Sequence, residues 1–157
     1  CSSDLNGVCS EQYLLISGSI NSMGVEKLCG INTDQHFYLE VKPSSYVYID
    51  FIINTNEVGL TYKFGLWITE IDCTKQSVIQ APRGCFQYYL DPSGIIKSFN
   101  YEGQQYMLNM HYRICIRNSP GVCSIAYTAG TGEFSLQKAA SVPTFQRTSS
   151  GASRESC

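Results

Sequence analysis

The chain has 157 residues, eight of them cysteine, and a net charge of −2. With 43% hydrophobic and 12% aromatic residues it holds ample material for a core, which argues against disorder, and its length fits one domain or two small ones. Only 15% of residues are charged, there is no polybasic patch, and no apolar run approaches the ~18 residues of a membrane helix, so nucleic acid and a membrane span are both argued against.

The apolar residues alternate almost throughout. Strands are predicted at residues 13–17 and 36–41. Val47, Ile49, Phe51 and Ile53 then alternate with Tyr46, Tyr48, Asp50 and Ile52. Phe64, Leu66 and Ile68 alternate with Lys63, Gly65, Trp67 and Thr69. Further strands are predicted at 86–90, 94–99, 111–117, 122–128 and 133–137. A period of two fits strands with one face on a core. Turn chemistry separates them, as in Pro43-Ser44-Ser45, Asn54-Thr55-Asn56, Asp91-Pro92-Ser93-Gly94 and Asn118-Ser119-Pro120-Gly121. No ten-residue window carries a convincing helical period. About nine short strands with regular turns predict an all-β antiparallel sandwich. From Ala139 the character changes, and 139–157 reads as a Ser/Thr-rich tail or linker. No acceptor for N-glycosylation occurs.

Cys1, Cys9, Cys29, Cys73, Cys85, Cys115, Cys123 and Cys157 are spread along the chain. An even count at wide spacing reads as a disulfide framework, hence an oxidising, extracellular compartment. Partly free thiols and a metal site are the alternatives. The metal reading lacks any C-x-x-C pair, and His36 and His111 lie far from any close cysteine pair. The chain begins at Cys1, and a processed form and a stretch of a longer protein are both kept open.

Several motifs resemble a known family. Cys9-Ser-Glu-Gln-Tyr-Leu-Leu-Ile-Ser17, followed by Leu28-Cys29-Gly30, resembles the middle of a CUB domain. Residues 47–53 resemble the family's penultimate strand and 65–71 its last. Cys85-Phe86-Gln87-Tyr88 and Ser93-Gly94-Ile95-Ile96-Lys97-Ser98-Phe99-Asn100-Tyr101 resemble the opening of a CUB domain, with Phe99 where Pro is usual. Tyr112-Arg113-Ile114-Cys115-Ile116-Arg117 resembles a further family strand. The combination is similar to secreted CUB-like proteins of arthropods and covers roughly residues 9–137. It implies a disulfide-stapled, antiparallel CUB-like jelly-roll sandwich, with Cys9 bonded to Cys29 and Cys85 to Cys115. Cys73 and Cys123 have no family partner, and a bond between them would staple the two halves. Cys1 and Cys157 are then left over.

The order of these features is unusual. Second-half features (1–72) precede first-half features (73–138), with the tail at 139–157. Three arrangements fit: the end of one domain and the start of the next in an array, a permuted single sandwich, or halves completed by a neighbouring copy.

The chemistry is sparse. There is no G-x-S-x-G elbow and no H-E-x-x-H. His36 and His111 read as surface or hydrogen-bonded residues. Glu70 and Asp72 share a strand face, as an acid–base pair or as a solvated strand end. No catalytic residue and no cofactor are expected. Many CUB domains bind calcium, and the resemblance puts Gln12 where an acidic ligand is usual, which leaves Glu11, Asn56 and Glu57 as weak candidates beside Asn54. The tyrosines are more suggestive. Eleven are present, and Tyr46, Tyr48, Tyr88, Tyr89 and Tyr101 are candidate interaction residues, since Tyr joins apolar area to a hydroxyl. The expected function is a non-enzymatic, secreted, extracellular interaction or structural protein. Its partners are proteins, above all other copies of itself, in a fibre or matrix held by strand-edge and disulfide contacts. The alternative is a ligand-binding CUB module of a larger secreted protein, in adhesion or beside a protease, with or without calcium.

Overall fold

A computed structural model describes residues 7–20, 27–53, 63–75, 78–130, 132–134 and 136. The chain divides into two compact units, Cys1–Arg117 and Asn118–Cys157. The class is all-β: the described residues contain five short strands, one 3-10 turn and no α-helix.

In the first unit, β1 (Tyr13–Ser17) lies between β2 (Lys27–Leu28) and β3 (Tyr48–Ile52), antiparallel to both. The register explains the alternation. Leu14 sits opposite both Leu28 and Phe51, and Ile16 opposite Ile49, so one face is apolar. Leu15 sits opposite Lys27 and Asp50, so the other face is mixed. Gly18 ends β1 at φ 84°, where a side chain would be both strained and driven into the Tyr46 carbonyl.

The second sheet pairs β4 (Gln87–Tyr89) with β5 (Ile114–Ile116). This pair runs parallel, a direction the alternation does not encode, because a period of two is common to both ladder types. Residues 36–41 run beside β4 through isolated bonds, such as Tyr38 N–H to the Phe86 carbonyl at 2.7 Å, and form no ladder. Residues 63–69, 94–99 and 122–128 also alternate without joining a sheet. Alternation prepares a face, but a strand exists only where a second backbone takes up its hydrogen bonds.

Two disulfides staple this unit, Cys9–Cys29 and Cys85–Cys115, with Cα separations of 5.6 and 5.7 Å. They are the pairs that the CUB resemblance implies. Cys123 is disulfide-bonded as well, whereas Cys73 is free and exposed. The expected Cys73–Cys123 staple is therefore corrected: the Cys123 sulfur is engaged elsewhere. Cys1 and Cys157 lie outside the described residues.

The core cluster contains Cys9, Ile16, Leu28, Cys29, Phe86, Phe99 and Met107. Phe99 is 1% exposed and Phe86 2%. Their rings lie 5.6 Å apart, Tyr112 packs edge-on to Phe99 at 5.3 Å, and Phe37 stacks on Phe86 at 5.5 Å. Side chains from 9–29 and from 86–107 thus share one interior. A second link is polar. Asn100 is fully buried and left-handed at φ 62°. Its Oδ1 accepts Ile31 N–H at 2.9 Å, its Nδ2 donates to the Gln105 carbonyl at 3.0 Å, and its own N–H donates to Asn32 Oδ1 at 2.8 Å. Gly30 lies so close to this amide that any Cβ there would overlap it.

The second unit shows two turns among its described residues. Asn118 Nδ2 donates to the Val122 carbonyl at 3.0 Å, and the Gly130 N–H donates to Glu133 Oε2 at 3.0 Å. No ladder forms among the described part of 118–136, where strands at 122–128 and 133–137 were predicted. Residues 131, 135 and 137–157, the tail included, lie outside the described residues.

Candidate interaction surface

β4 carries the sharpest grouping. Gln87 faces inward and is fully buried. Its Nε2 donates to Gln35 Oε1 at 2.8 Å and to the His36 carbonyl at 3.2 Å, which fixes the 35–38 segment along β4. His36 Nε2 then lies 3.1 Å from the Tyr88 carbonyl and 3.2 Å from the Tyr88 N–H. One ring nitrogen can donate to the first or accept from the second, according to its tautomer. The imidazole packs edge-on to Tyr89 at 4.9 Å and to Tyr38 at 5.9 Å, and Tyr38 meets Tyr88 at 6.1 Å. Successive strand residues face opposite ways, yet Tyr88 and Tyr89 are both half-buried, Tyr89 against the His36 ring and Tyr88 against Tyr38. The result is a half-exposed patch of three tyrosines around one histidine.

Burial pushes the phenols of Tyr38, Tyr89 and Tyr112 above their ordinary value of 10.0, with a neighbouring tyrosine adding to the effect at Tyr38 and Tyr112. The unfolded chain loses these protons first as pH rises. Their stabilisation is therefore complete below about pH 10 and lost as pH climbs through the raised values. Phenolate absorbance followed against pH is expected to show tyrosines ionising late, together with a falling urea midpoint above about pH 10. Simple ionisation of every tyrosine near 10, with the fold unaffected, would contradict this packing.

The other candidate tyrosines form separate groups. Tyr46 and Tyr48 are exposed at the start of β3, with ring centroids 6.5 Å apart. Tyr101 lies in the 3-10 turn Tyr101–Gly103, under Lys97 Nζ at 5.2 Å, and Glu102 pairs with that lysine at 2.6 Å. No ring contact joins the three groups among the described residues. Tyr38 was missed in the sequence, although its i, i+2 spacing from His36 on a predicted strand carried the signal.

Residues 63–68 were expected to pack as a strand and instead lie open. Trp67 is 96% exposed, Ile68 78% and Phe64 64%. Beside them, β3 is the last strand of its sheet, with no partner on its outer edge among the described residues. Glu70 is exposed, and the Asp72 carboxylate accepts from Thr74 Oγ1 at 2.6 Å and from the Thr74 N–H at 2.9 Å, with Lys75 at 3.7 Å. These contacts, the Thr74 hydroxyl first, hold Asp72 below its ordinary range and use it as a turn-former. Of the calcium candidates, Glu11 is exposed and its neighbour Gln12 is buried, while Asn54, Asn56 and Glu57 lie outside the described residues.

Residues 82–157, just under half of the chain, match the family model of the animal CUB domain. CUB domains are in general non-catalytic protein-interaction modules and occur mostly in extracellular or secreted proteins. No curated protein and no solved structure matches the chain. No helix among the described residues is long and apolar enough to cross a membrane.

Proposed function

We propose that this is a non-enzymatic, secreted interaction protein whose principal partner is another copy of itself. The observation that carries the reading is the pairing of a β3 edge that is unpartnered among the described residues with the exposed Phe64, Trp67 and Ile68. An unpartnered edge is a template for strand addition, and contiguous exposed apolar side chains mark contact surfaces. Two β3 edges meeting about a twofold axis close after two copies. The 63–68 segment is a second, different contact, and two different contacts extend the assembly into a fibre or matrix. Tyr46 and Tyr48, exposed at the start of β3, supply further interface area. The motif order motivates the domain reading: 1–72 a second-half and 73–138 a first-half CUB-like segment, with 139–157 a tail, nearest in kind to secreted CUB-like proteins of arthropods. The core shared by Ile16, Leu28, Phe86, Phe99 and Met107 supports the permuted-sandwich arrangement.

Sedimentation velocity tests the self-association. The wild-type protein is expected to shift to larger species as concentration rises, and Trp67→Glu, which removes only the 63–68 contact, to stop at a dimer with an unchanged melting temperature. A wild type that stays monomeric at all concentrations overturns the proposal. It leaves the second reading, a ligand-binding CUB module of a larger secreted protein.

A further inference from the structure

A groove of ≈ 930 Å³ opens on the apolar face of the first sheet. That volume is in the range of small-molecule sites. Its floor is Leu14, Leu28 and Phe51 from the three strands, with Phe99 beneath. Phe64 stacks on Phe51 at 3.7 Å and, with Leu66, forms a wall.

Two amides on its rim are already spent. Asn32 Nδ2 donates to the Cys29 carbonyl at 2.8 Å, and Asn32 Oδ1 accepts the Asn100 N–H at 2.8 Å. Gln35 Oε1 accepts from Gln87 at 2.8 Å, and its Nε2 is directed at the Lys97 and Ser98 carbonyls. The Ile31 N–H is held by Asn100. An occupant therefore gains little from these groups and must bring an apolar body.

The charge is one-sided. Among the described residues, Lys63 is the only charged side chain lining the groove, and it makes no ion pair with another of them. No carboxylate of the described residues lines the groove. Asp50 alternates to the opposite face of β3 from Phe51, opposite Leu15. In a chain of net charge −2, a groove whose one charge among the described residues is an ammonium selects the sign of its ligand.

We infer that this groove binds a free long-chain carboxylate, with its alkyl chain over Phe51, Phe64 and Phe99 and its head at Lys63. Apolar burial sets the affinity, and the ammonium sets the preference for an anion. Each added methylene is expected to tighten binding about fourfold until the groove is filled. An exposed ion pair adds about fivefold at most.

Calorimetry with monomeric octanoate, decanoate and dodecanoate tests this against dodecylamine and against phosphatidylserine vesicles. The expected result is one saturable carboxylate site per chain with the stated dependence on chain length. Dodecylamine should bind more weakly, and the vesicles should recruit no protein. Lys63→Glu should invert the preference between acid and amine. Lys63→Met, which keeps the length of an exposed side chain, should abolish the preference while leaving apolar binding in place. Equal affinity for acid and amine in the wild type overturns the inference. So do absence of binding, non-saturating uptake, and binding to vesicles without binding to the free acids.

Discussion

Replacing Phe99 with alanine is expected to cost about 3–5 kcal/mol. The ring is 1% exposed and lies between Phe86 and Tyr112, at 5.6 and 5.3 Å. Truncation removes its transfer free energy and leaves a cavity. It also ends two aromatic pairings worth about 0.5–1.5 kcal/mol each beyond area. The surroundings are poorly placed to collapse, because the Cys9–Cys29 and Cys85–Cys115 bonds tie down the backbone on both sides of the cluster. Small domains are stable by only about 5–15 kcal/mol, so a large share of the total is at risk. Urea unfolding of Phe99→Ala and Phe99→Leu checks it. The leucine variant should retain more of the stability than the alanine variant. A loss below about 1 kcal/mol for alanine would mean that residues 9–29 and 86–107 do not share an interior.

Asn100 gives the second large effect, through polar rather than apolar atoms. Asn100→Ala strands the Ile31 N–H and the Gln105 carbonyl, which its amide now satisfies at 2.9 and 3.0 Å. Both bonds are part-buried, so losing each costs about 0.5–1.5 kcal/mol, and alanine at φ 62° adds about 1 kcal/mol of backbone strain. The expected loss is about 2–4 kcal/mol. Asn100→Gly separates the two causes. It keeps the left-handed backbone and loses only the hydrogen bonds, so it should be less destabilised than Asn100→Ala by about 1 kcal/mol. Equal stability of the two variants would show that φ at this site relaxes freely.

These two residues show what was hidden in the sequence. Phe99 stood out only as a departure from a motif proline, and it sits in a segment with no ladder. Nothing in its neighbours announces that it meets Phe86 and Tyr112. Asn100 was legible as a motif member, but a buried, left-handed amide leaves no periodic trace. By contrast, β1 and β3 were readable, because Leu14 and Ile16, and Ile49 and Phe51, recur at every second position and then pair in register. The direction of the β4–β5 pair was not readable. Residues 63–68 show the same limit. Phe64, Leu66 and Ile68 carry a strand's alternation, yet lie exposed without a ladder, because a pattern specifies a face and not the chain that will cover it. The interaction candidates were found one at a time. The histidine that gathers Tyr38, Tyr88 and Tyr89 joins positions 36 and 88 through backbone contacts that no local pattern encodes.

The central claim is that the β3 edge and residues 63–68 are where copies of this chain meet. Hydrogen–deuterium exchange at low and high protein concentration tests it most directly. The account expects the amides of Tyr48–Ile52 and of residues 63–68 to gain protection as concentration rises, and those of β4 and β5 to stay unchanged. Protection that is the same at both concentrations, or gained only at β4 and β5, would contradict it.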